Sequence, residues 1–328
     1  MEQDRAVLGE SGVPADGEPL GGQVLAGRLT RLAAPEDRTA GQDGRGDLHV
    51  CDLDGTLLRS DATLSSFARD GLNQLLDAGL ALTVASARSA AAMGTLLAGV
   101  RLRLPVVELN GAFLTDLATG RHLAHRTLDA AAALVAIDTL EALGTQAVLT
   151  TWDGAADHVH FGTGLNPAAT WYIDEKRAYG DPRLRPCADI RDVVHAEHTA
   201  AVIAFVPDHR AERTVAELEK ALHGSAAVLA AANRYVPGWS EVQVAHPEAE
   251  KGCGVRNLAE AVGMADARLT VYGDHLNDLP MFSVADRRVA PANAHPDVLA
   301  RATAVTAAND EDGVVRHLLR EAGIPRSS

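Results

Sequence analysis

The stretch Leu48-His49-Val50-Cys51-Asp52-Leu53-Asp54-Gly55-Thr56 decides the fold. Its apolar run, 48–53, predicts a buried strand. The strand carries two carboxylates, two residues apart, to its C-terminal end, where open α/β sheets bind ligands. Gly55 lets the chain turn sharply there with its backbone close to a ligand. Asp and Gly also favour ordinary turns, so the string has a plain polar-turn reading as well. As a calcium loop it fits poorly, because the glycine follows the first aspartate too soon.

Outward from this stretch, apolar runs alternate with helical segments. A helix carrying Phe67, Leu72, Leu75 and Leu76 on one face is followed by strand 81–85, helix 90–97 and strand 106–109. Strand runs that are apolar on both faces argue for a parallel sheet of βαβ units. The rhythm returns with strands at 269–272, 288–290 and 304–306 and a helix over about 311–322. The two ends therefore form one α/β, doubly wound domain, 47–112 with 246–328. The middle, 113–245, differs: nine of the twelve aromatics lie in it, five of them from Trp152 to Tyr179. Strand patterns at 146–151, 158–161, 200–206, 226–232 and 241–245 mix with helical ones at 129–143, 167–178 and 209–222. An α+β domain inserted into the α/β domain accounts for this. Residues 1–46 hold nine of the 29 glycines, no aromatic and no period of 2 or 3.6, and read as a flexible tail or an over-extended start.

Of the 328 residues, 47% are hydrophobic and 23% charged, the balance of a soluble globular chain. No apolar stretch approaches the ~18–20 residues of a membrane span, and residues 1–46 lack the pattern of a signal peptide. Cys51, Cys187 and Cys253 are odd in number and far apart, which excludes a disulfide framework or zinc ribbon and points to a cytoplasmic setting. With 30 basic and 44 acidic residues the net charge is −14, which disfavours nucleic acid and anionic membranes as partners. A phosphorylated substrate would need a metal or a buried cation.

Gly273-Asp274-His275-Leu276-Asn277-Asp278 follows the predicted strand 269–272 and places a second acidic cluster at a strand's C-terminal end. Two hard-oxygen clusters in one crevice are what Mg²⁺ needs. Asn277 or Asp278 taken singly also fits a helix N-cap. Ser86, in Val84-Ala85-Ser86-Ala87-Arg88, ends the second strand, where a hydroxyl and helix-start amides suit phosphate; alone it reads as a helix cap. Lys251 is one of three lysines against 27 arginines and opens Lys251-Gly252-Cys253-Gly254, where the insertion returns to the sheet. Alone it reads as a solvated lysine.

The order of these pieces resembles the haloacid dehalogenase-like phosphatase superfamily: Asp-x-Asp-Gly-Thr, a strand-end Ser, a Lys, then Gly-Asp-x-x-Asn-Asp. The large insertion between the Ser and Lys elements, Asn110-Gly111-Ala112 and the run 309–314 are similar to its Cof-type branch. The likeness covers about 48–322, with His275 where many relatives have glycine and Ser86 where threonine is common. It implies a Rossmann-like core with a cap domain and a Mg²⁺-dependent phosphatase of small phosphorylated metabolites. Asp52 would be the nucleophile, forming an aspartyl-phosphate, and Asp54 the acid. Mg²⁺ would bind Asp52, the Asp54 carbonyl and Asp274, with Asp278 supporting its water shell or Lys251. Ser86, Lys251 and Asn277 would hold phosphate. Crowded carboxylates are expected to keep Asp54 protonated near neutrality.

Arg88, Asn110, Trp171 and Arg177 are candidate substrate contacts, the last two within an aromatic and cationic segment, 171–179, that equally suits cap core. His158 and His160 alternate onto one strand face, and His195 with His198 fits a helix face. Neither pair has a third ligand at useful spacing, so both read as surface or cap histidines. No P-loop or GxSxG motif occurs. The alternatives are a phosphomutase or phosphotransferase of the same chemistry, or a non-catalytic phosphometabolite-binding protein, which would have lost its nucleophile or lysine. The substrate and oligomeric state are not encoded in any motif.

Overall fold

The structure, a computed structural model, describes residues 46–178, 180–233 and 235–324. Of the expected tail only Gly46 falls among them, and Tyr179 lies outside them. The first part of the chain forms β1 (Asp47–Cys51), α1 (Ser66–Asp77), β2 (Ala81–Val84), α2 (Ala90–Leu96), β3 (Val106–Glu108), β4 (Phe113–Asp116) and β5 (Arg121–His125). Next come α3 (Ala130–Ala142), β6 (Ala147–Trp152), β7 (Asp157–Phe161), α4 (Pro167–Ala178), β8 (Leu184–Pro186), α5 (Ile190–Ala196) and β9 (His198–Pro207). They are followed by α6 (Asp208–Leu222), β10 (Ala227–Ala232) and β11 (Trp239–Ala245). The last part holds α7 (Lys251–Ala261), β12 (Arg268–Tyr272), α8 (Leu279–Val284), β13 (Arg287–Pro291), α9 (Pro296–Leu299), β14 (Ala304–Thr306) and α10 (Gly313–Glu321).

The main sheet runs β14-β13-β12-β1-β2, all parallel, and a single parallel bridge from Ala85 to Val107 attaches β3 beyond β2. The strand order therefore reverses between β1 and β12, the place where doubly wound sheets leave a crevice. Alternate side chains feed two cores, as two-sided burial of parallel strands requires. Cys51, Val84, Tyr272 and Val289 pack against α1, α2 and α10 on one face. Leu48, Val50, Val271 and Ala290 pack against α7 and α8 on the other. Helix α1 starts where Ser65 accepts from the Ala68 amide at 2.9 Å.

The inserted segment builds a second sheet, β10-β11-β9-β6-β7-β8, antiparallel except for the β7–β8 pair. One face carries α3, α5 and α6 over Leu149, Val202 and Val244; the other carries α4 over Val148, Val159 and Phe205. The hairpin β4–β5 pairs with β3, not with this sheet. It meets the six-stranded sheet through side chains: His122 Nε2 lies 2.8 Å from Asp157 of β7, and the His122 ring stands edge-on to Trp152 of β6 with centroids 5.4 Å apart. His195 and His198 do not share a helix, because α5 stops at Ala196 and His198 opens β9.

Candidate active site

Asp52 leaves the sheet at the end of β1, where its amide donates to Tyr272 O of β12 at 2.8 Å. The strand ends at Cys51, short of the expected Leu53. The Leu53 carbonyl instead accepts from the amides of Thr56, Leu57 and Leu58, closing a tight turn. Gly55 has φ +83°, and a Cβ there would lie 2.4 Å from Asp274 Oδ2. Only glycine permits both that backbone and that approach. Thr56 Oγ1 donates to Asp274 Oδ1 at 2.9 Å, so the turn after β1 positions the carboxylate after β12.

Lys251 stands at the start of α7 with its side chain wholly buried, and Nζ donates to Asp52 Oδ1 at 2.5 Å and to Asp278 Oδ1 at 2.6 Å. It is therefore no solvated lysine. Asp278 Oδ2 accepts from the amides of Asp274 and His275 at 2.8 and 3.0 Å. Asp278 thus caps its own turn and fixes the lysine at once. The close passage of α7 depends on Gly252, where a Cβ would meet the Pro280 carbonyl at 2.6 Å.

Three carboxylates, Asp52, Asp274 and Asp278, offer oxygens within 4.8 Å of one another, all buried. Burial pushes the Asp52 carboxyl well up, with Asp278 and Asp274 adding to it while Lys251 opposes. Burial disfavours the Lys251 charge, yet Asp278 and Asp52 outweigh it and hold the ammonium above its ordinary value. Three buried carboxylates face a single ammonium, so with the carboxylates ionised the centre favours a further cation. An all-oxygen donor set suits a hard divalent ion, so these residues fit Mg²⁺.

Ser86 is buried, and its hydroxyl accepts from the Arg88 amide at 3.1 Å. It is not the helix cap: Ser89 occupies that position on α2. Leu109, Asn110 and Gly111 have φ of 50°, 56° and 108°. This left-handed run turns Asn110 back on the site, where its amide donates to Ser86 O at 3.0 Å and its Oδ1 accepts from Asn277 at 3.1 Å. Strain in adjacent non-glycine residues is kept where the surroundings fix a loop for use.

The structure thus brings Asp52, Ser86, Asn110, Lys251, Asp274, Asn277 and Asp278 together. Asp54 is different. Its carboxylate is held by Arg88, Nε to Oδ2 and Nη2 to Oδ1, both at 2.7 Å. The carboxylates expected to crowd Asp54 are not its hydrogen-bond partners. The hydrogen bonds to Asp54 hold the Arg88 guanidinium above its ordinary value against its own burial, with Glu175 of the insertion adding a smaller attraction. Trp171 stacks on Tyr235 with centroids 5.1 Å apart. Arg177 turns to Asp174 on its own helix.

Asn293 carried no sequence signal, and the run 309–314 was marked only by the family likeness, with no role attached. Asn293 donates to Gly55 O at 2.8 Å, and Asn309 donates to Leu58 O at 2.9 Å. Asp310 accepts from Ser60, and Asp312 accepts from Ser65 and Arg59. The run 309–314 therefore clamps the loop that follows Asp54.

The sequence profile of haloacid dehalogenase-like hydrolases matches residues 49–318. The chain is 28% identical over 277 residues to the Bacillus subtilis 5-amino-6-(5-phospho-D-ribitylamino)uracil phosphatase YitU, covering 83% of this chain and 96% of that one. A second B. subtilis phosphatase of the same described activity, YwtE, is 26% identical over 80% of this chain and 93% of its own length. Among solved structures, a haloacid dehalogenase-like hydrolase from Bacteroides thetaiotaomicron superposes with a TM-score of 0.68 over 84% of this chain and 99% of that one, at 24% identity. The chain belongs to the haloacid dehalogenase-like hydrolase family, as an enzyme of its phosphatase type.

Proposed function

We propose that the protein hydrolyses small phosphate monoesters through an aspartyl-phosphate on Asp52, with Mg²⁺ bound by Asp52, Asp274 and the Asp54 carbonyl. The observation that carries this reading is the buried Lys251 ammonium between Asp52 and Asp278, at 2.5 and 2.6 Å, beside a third carboxylate. A surface ion pair would not be sealed at the C-terminal ends of β1 and β12, in the crevice of the sheet.

In this reading Asp52 attacks phosphorus while the ester oxygen departs. Lys251 Nζ and the Ser86 hydroxyl hold the phosphoryl oxygens, and Asp278 keeps Lys251 in place. Bound Mg²⁺ would neutralise phosphate charge that otherwise repels the carboxylate nucleophile. Asp54 gives its proton to the leaving oxygen, then takes one from the water that splits the acyl phosphate, restoring Asp52 and releasing inorganic phosphate. Arg88 must first turn aside or share its donors, because it engages both Asp54 oxygens.

The inserted segment, counted from near 113 to 245 with the β4–β5 hairpin as its link to β3, would act as the cap, with Trp171 and Tyr235 facing the organic part of the substrate. Two relatives act on a ribitylaminouracil phosphate, so esters joining a sugar-like chain to a flat heterocycle head the substrate panel. A phosphate-release screen over many monoesters, with and without Mg²⁺, tests the reading. Metal-dependent release from some of them is expected; no release from any, with folded protein, would overturn it.

A further inference from the structure

We propose a second metal site, for a borderline divalent ion such as Zn²⁺, formed by His158, His160 and Glu197 in the inserted domain and separate from the acidic centre. The two histidines lie two apart on β7, opposite Thr151 and Leu149 of β6, so both rings stand on the sheet face that α3 and α5 cover. Glu197 comes from elsewhere in the chain: it closes α5 just before β9 begins. That is the third ligand which local spacing along the sequence did not supply.

The geometry is convergent. His158 Nδ1 lies 3.0 Å and His160 Nε2 3.1 Å from the same oxygen, Glu197 Oε2. Donor atoms on a tetrahedral zinc, each at 2.0–2.1 Å from the ion, stand about 3.3 Å apart. The three groups are thus already near ligand separation, within 4.8 Å of one another throughout. Their side chains are 11%, 9% and 15% exposed, so they are shielded but not sealed from solvent. The other nitrogen of His158 lies 3.9 Å from Asp153 Oδ2. That separation is too long for a hydrogen bond and leaves Asp153 as a nearby negative charge. Thr151 Oγ1 donates to Glu197 Oε2 at 2.5 Å, which fixes the carboxylate from the sheet side.

The donor set separates this site from the acidic one. Two imidazoles and a carboxylate favour zinc over magnesium, whereas Asp52, Asp274 and Asp278 offer oxygen alone. Bound metal would tie the end of α5 to β7 and stiffen that face of the cap. The same three groups also make a self-contained hydrogen-bond network, so the test must separate network from ligand set.

The full chain is stripped of metal, saturated with Mg²⁺ to occupy the acidic centre, and titrated with Zn²⁺ against a chromophoric chelator. One equivalent of Zn²⁺ and a raised Tm are expected for the unmodified chain. His158→Asn with His160→Asn should lose both effects. Glu197→Gln keeps a hydrogen-bond acceptor and should weaken Zn²⁺ on the order of a hundredfold, the upper scale for losing even an outer partner. Should the double histidine variant fail to fold by circular dichroism, Glu197→Gln decides alone. Co²⁺ should give visible ligand-field bands without a thiolate charge-transfer band. Absence of bound Zn²⁺ in the unmodified chain, unchanged affinity in the variants, or a thiolate band assigning the ion to cysteine would each overturn the site.

Discussion

Arg88 grips Asp54 through two parallel hydrogen bonds, Nε to Oδ2 and Nη2 to Oδ1, each 2.7 Å long. A planar guanidinium matches a carboxylate in this way and an ammonium does not. The pair is partly exposed, at 24% and 33% of the side chains, so it is not sealed in the core. In the proposed mechanism this grip would set the orientation of Asp54, with one of the two hydrogen bonds given up when Asp54 acts as the acid. Arg88→Lys should lower kcat on an alkyl phosphate roughly tenfold or more, part of the ~10²–10⁴-fold that general acid catalysis supplies, and on an aryl phosphate should spare the first release of phenol while slowing the turnover that follows. If KM rises instead while kcat holds for both esters, Arg88 binds substrate and does not orient the acid.

The two aspartates of the turn should separate by leaving group. Asp52→Asn removes the proposed nucleophile, so turnover and phosphoryl-enzyme formation should both disappear. Asp54→Asn should cost ~10²–10⁴-fold on an alkyl phosphate, whose oxygen needs a proton to leave. On an aryl phosphate with an acidic phenol, it should show a burst of phenol followed by slow turnover, because the first step proceeds unaided and water attack does not. Both losses should persist at saturating Mg²⁺. An Asp52→Asn enzyme that still turns over would falsify the assignment.

The parallel core was legible because strands buried on both faces leave continuous apolar runs, as in β1 and β2, and because chemistry collects at their ends. What stayed hidden depends on distance in sequence. The β4–β5 hairpin has short, mixed strands, and nothing local says that β3 is its partner. Arg88 carried no sign that it would grip Asp54, 34 residues before it. Glu197 reaches His158 and His160 only because α5 packs over the sheet, and Asn293 reaches Gly55 across 238 residues. Periodicity reports which face is buried; it does not report which buried faces meet.

Selectivity should reside in the stack of Trp171 on Tyr235, which joins α4 to the loop before β11. Trp171→Ala should alter the ranking among phosphate esters more than the rate on a small generic ester. Tyr235 is about half exposed, so its loss should cost little stability. A uniform loss of rate across the whole panel would make the stack a structural feature of the cap. Arg177→Ala should be silent in the same panel, since Arg177 pairs with Asp174 on an exposed helix face.

Stability should depend on pH through His49. Burial pulls its imidazole down to about 4, although Asp47 and Glu321 pull upward; Nδ1 lies 3.1 Å from the Tyr272 hydroxyl. In the unfolded chain the ring takes up a proton near pH 6.5, while the folded chain refuses it until about pH 4. The unfolded state therefore binds more protons in that window, and stability falls as pH falls through it. The full effect is about 3 kcal/mol. Urea unfolding between pH 6.5 and 4 should show a shallower decline for His49→Leu than for the unmodified chain. Parallel curves would place the acid sensitivity elsewhere.

The last test concerns Lys251, whose side chain is fully buried between Asp52 and Asp278. Removing one partner of a buried ion pair typically costs about 3–5 kcal/mol, because the remaining charge loses its counter-ion without regaining water. Lys251→Ala leaves two such carboxylates and should fall at the upper end of that range in metal-free urea unfolding. Replacing Asp278 as well, with Asn, removes one orphaned charge. The double variant should therefore be more stable than the sum of the single losses predicts, by at least about 1 kcal/mol. The pH dependence gives an independent check. The Asp52 carboxyl is already pushed up by burial and by its acidic neighbours, and losing the lysine removes the group opposing that rise. A raised carboxyl favours the folded state below its pKa and loses that advantage as pH rises through it. Lys251→Ala should accordingly regain stability relative to the unmodified chain as pH is lowered from neutrality. A single variant within about 1 kcal/mol of the unmodified chain, with strict additivity in the cycle, would mean that the lysine is not the charge that holds this crevice together.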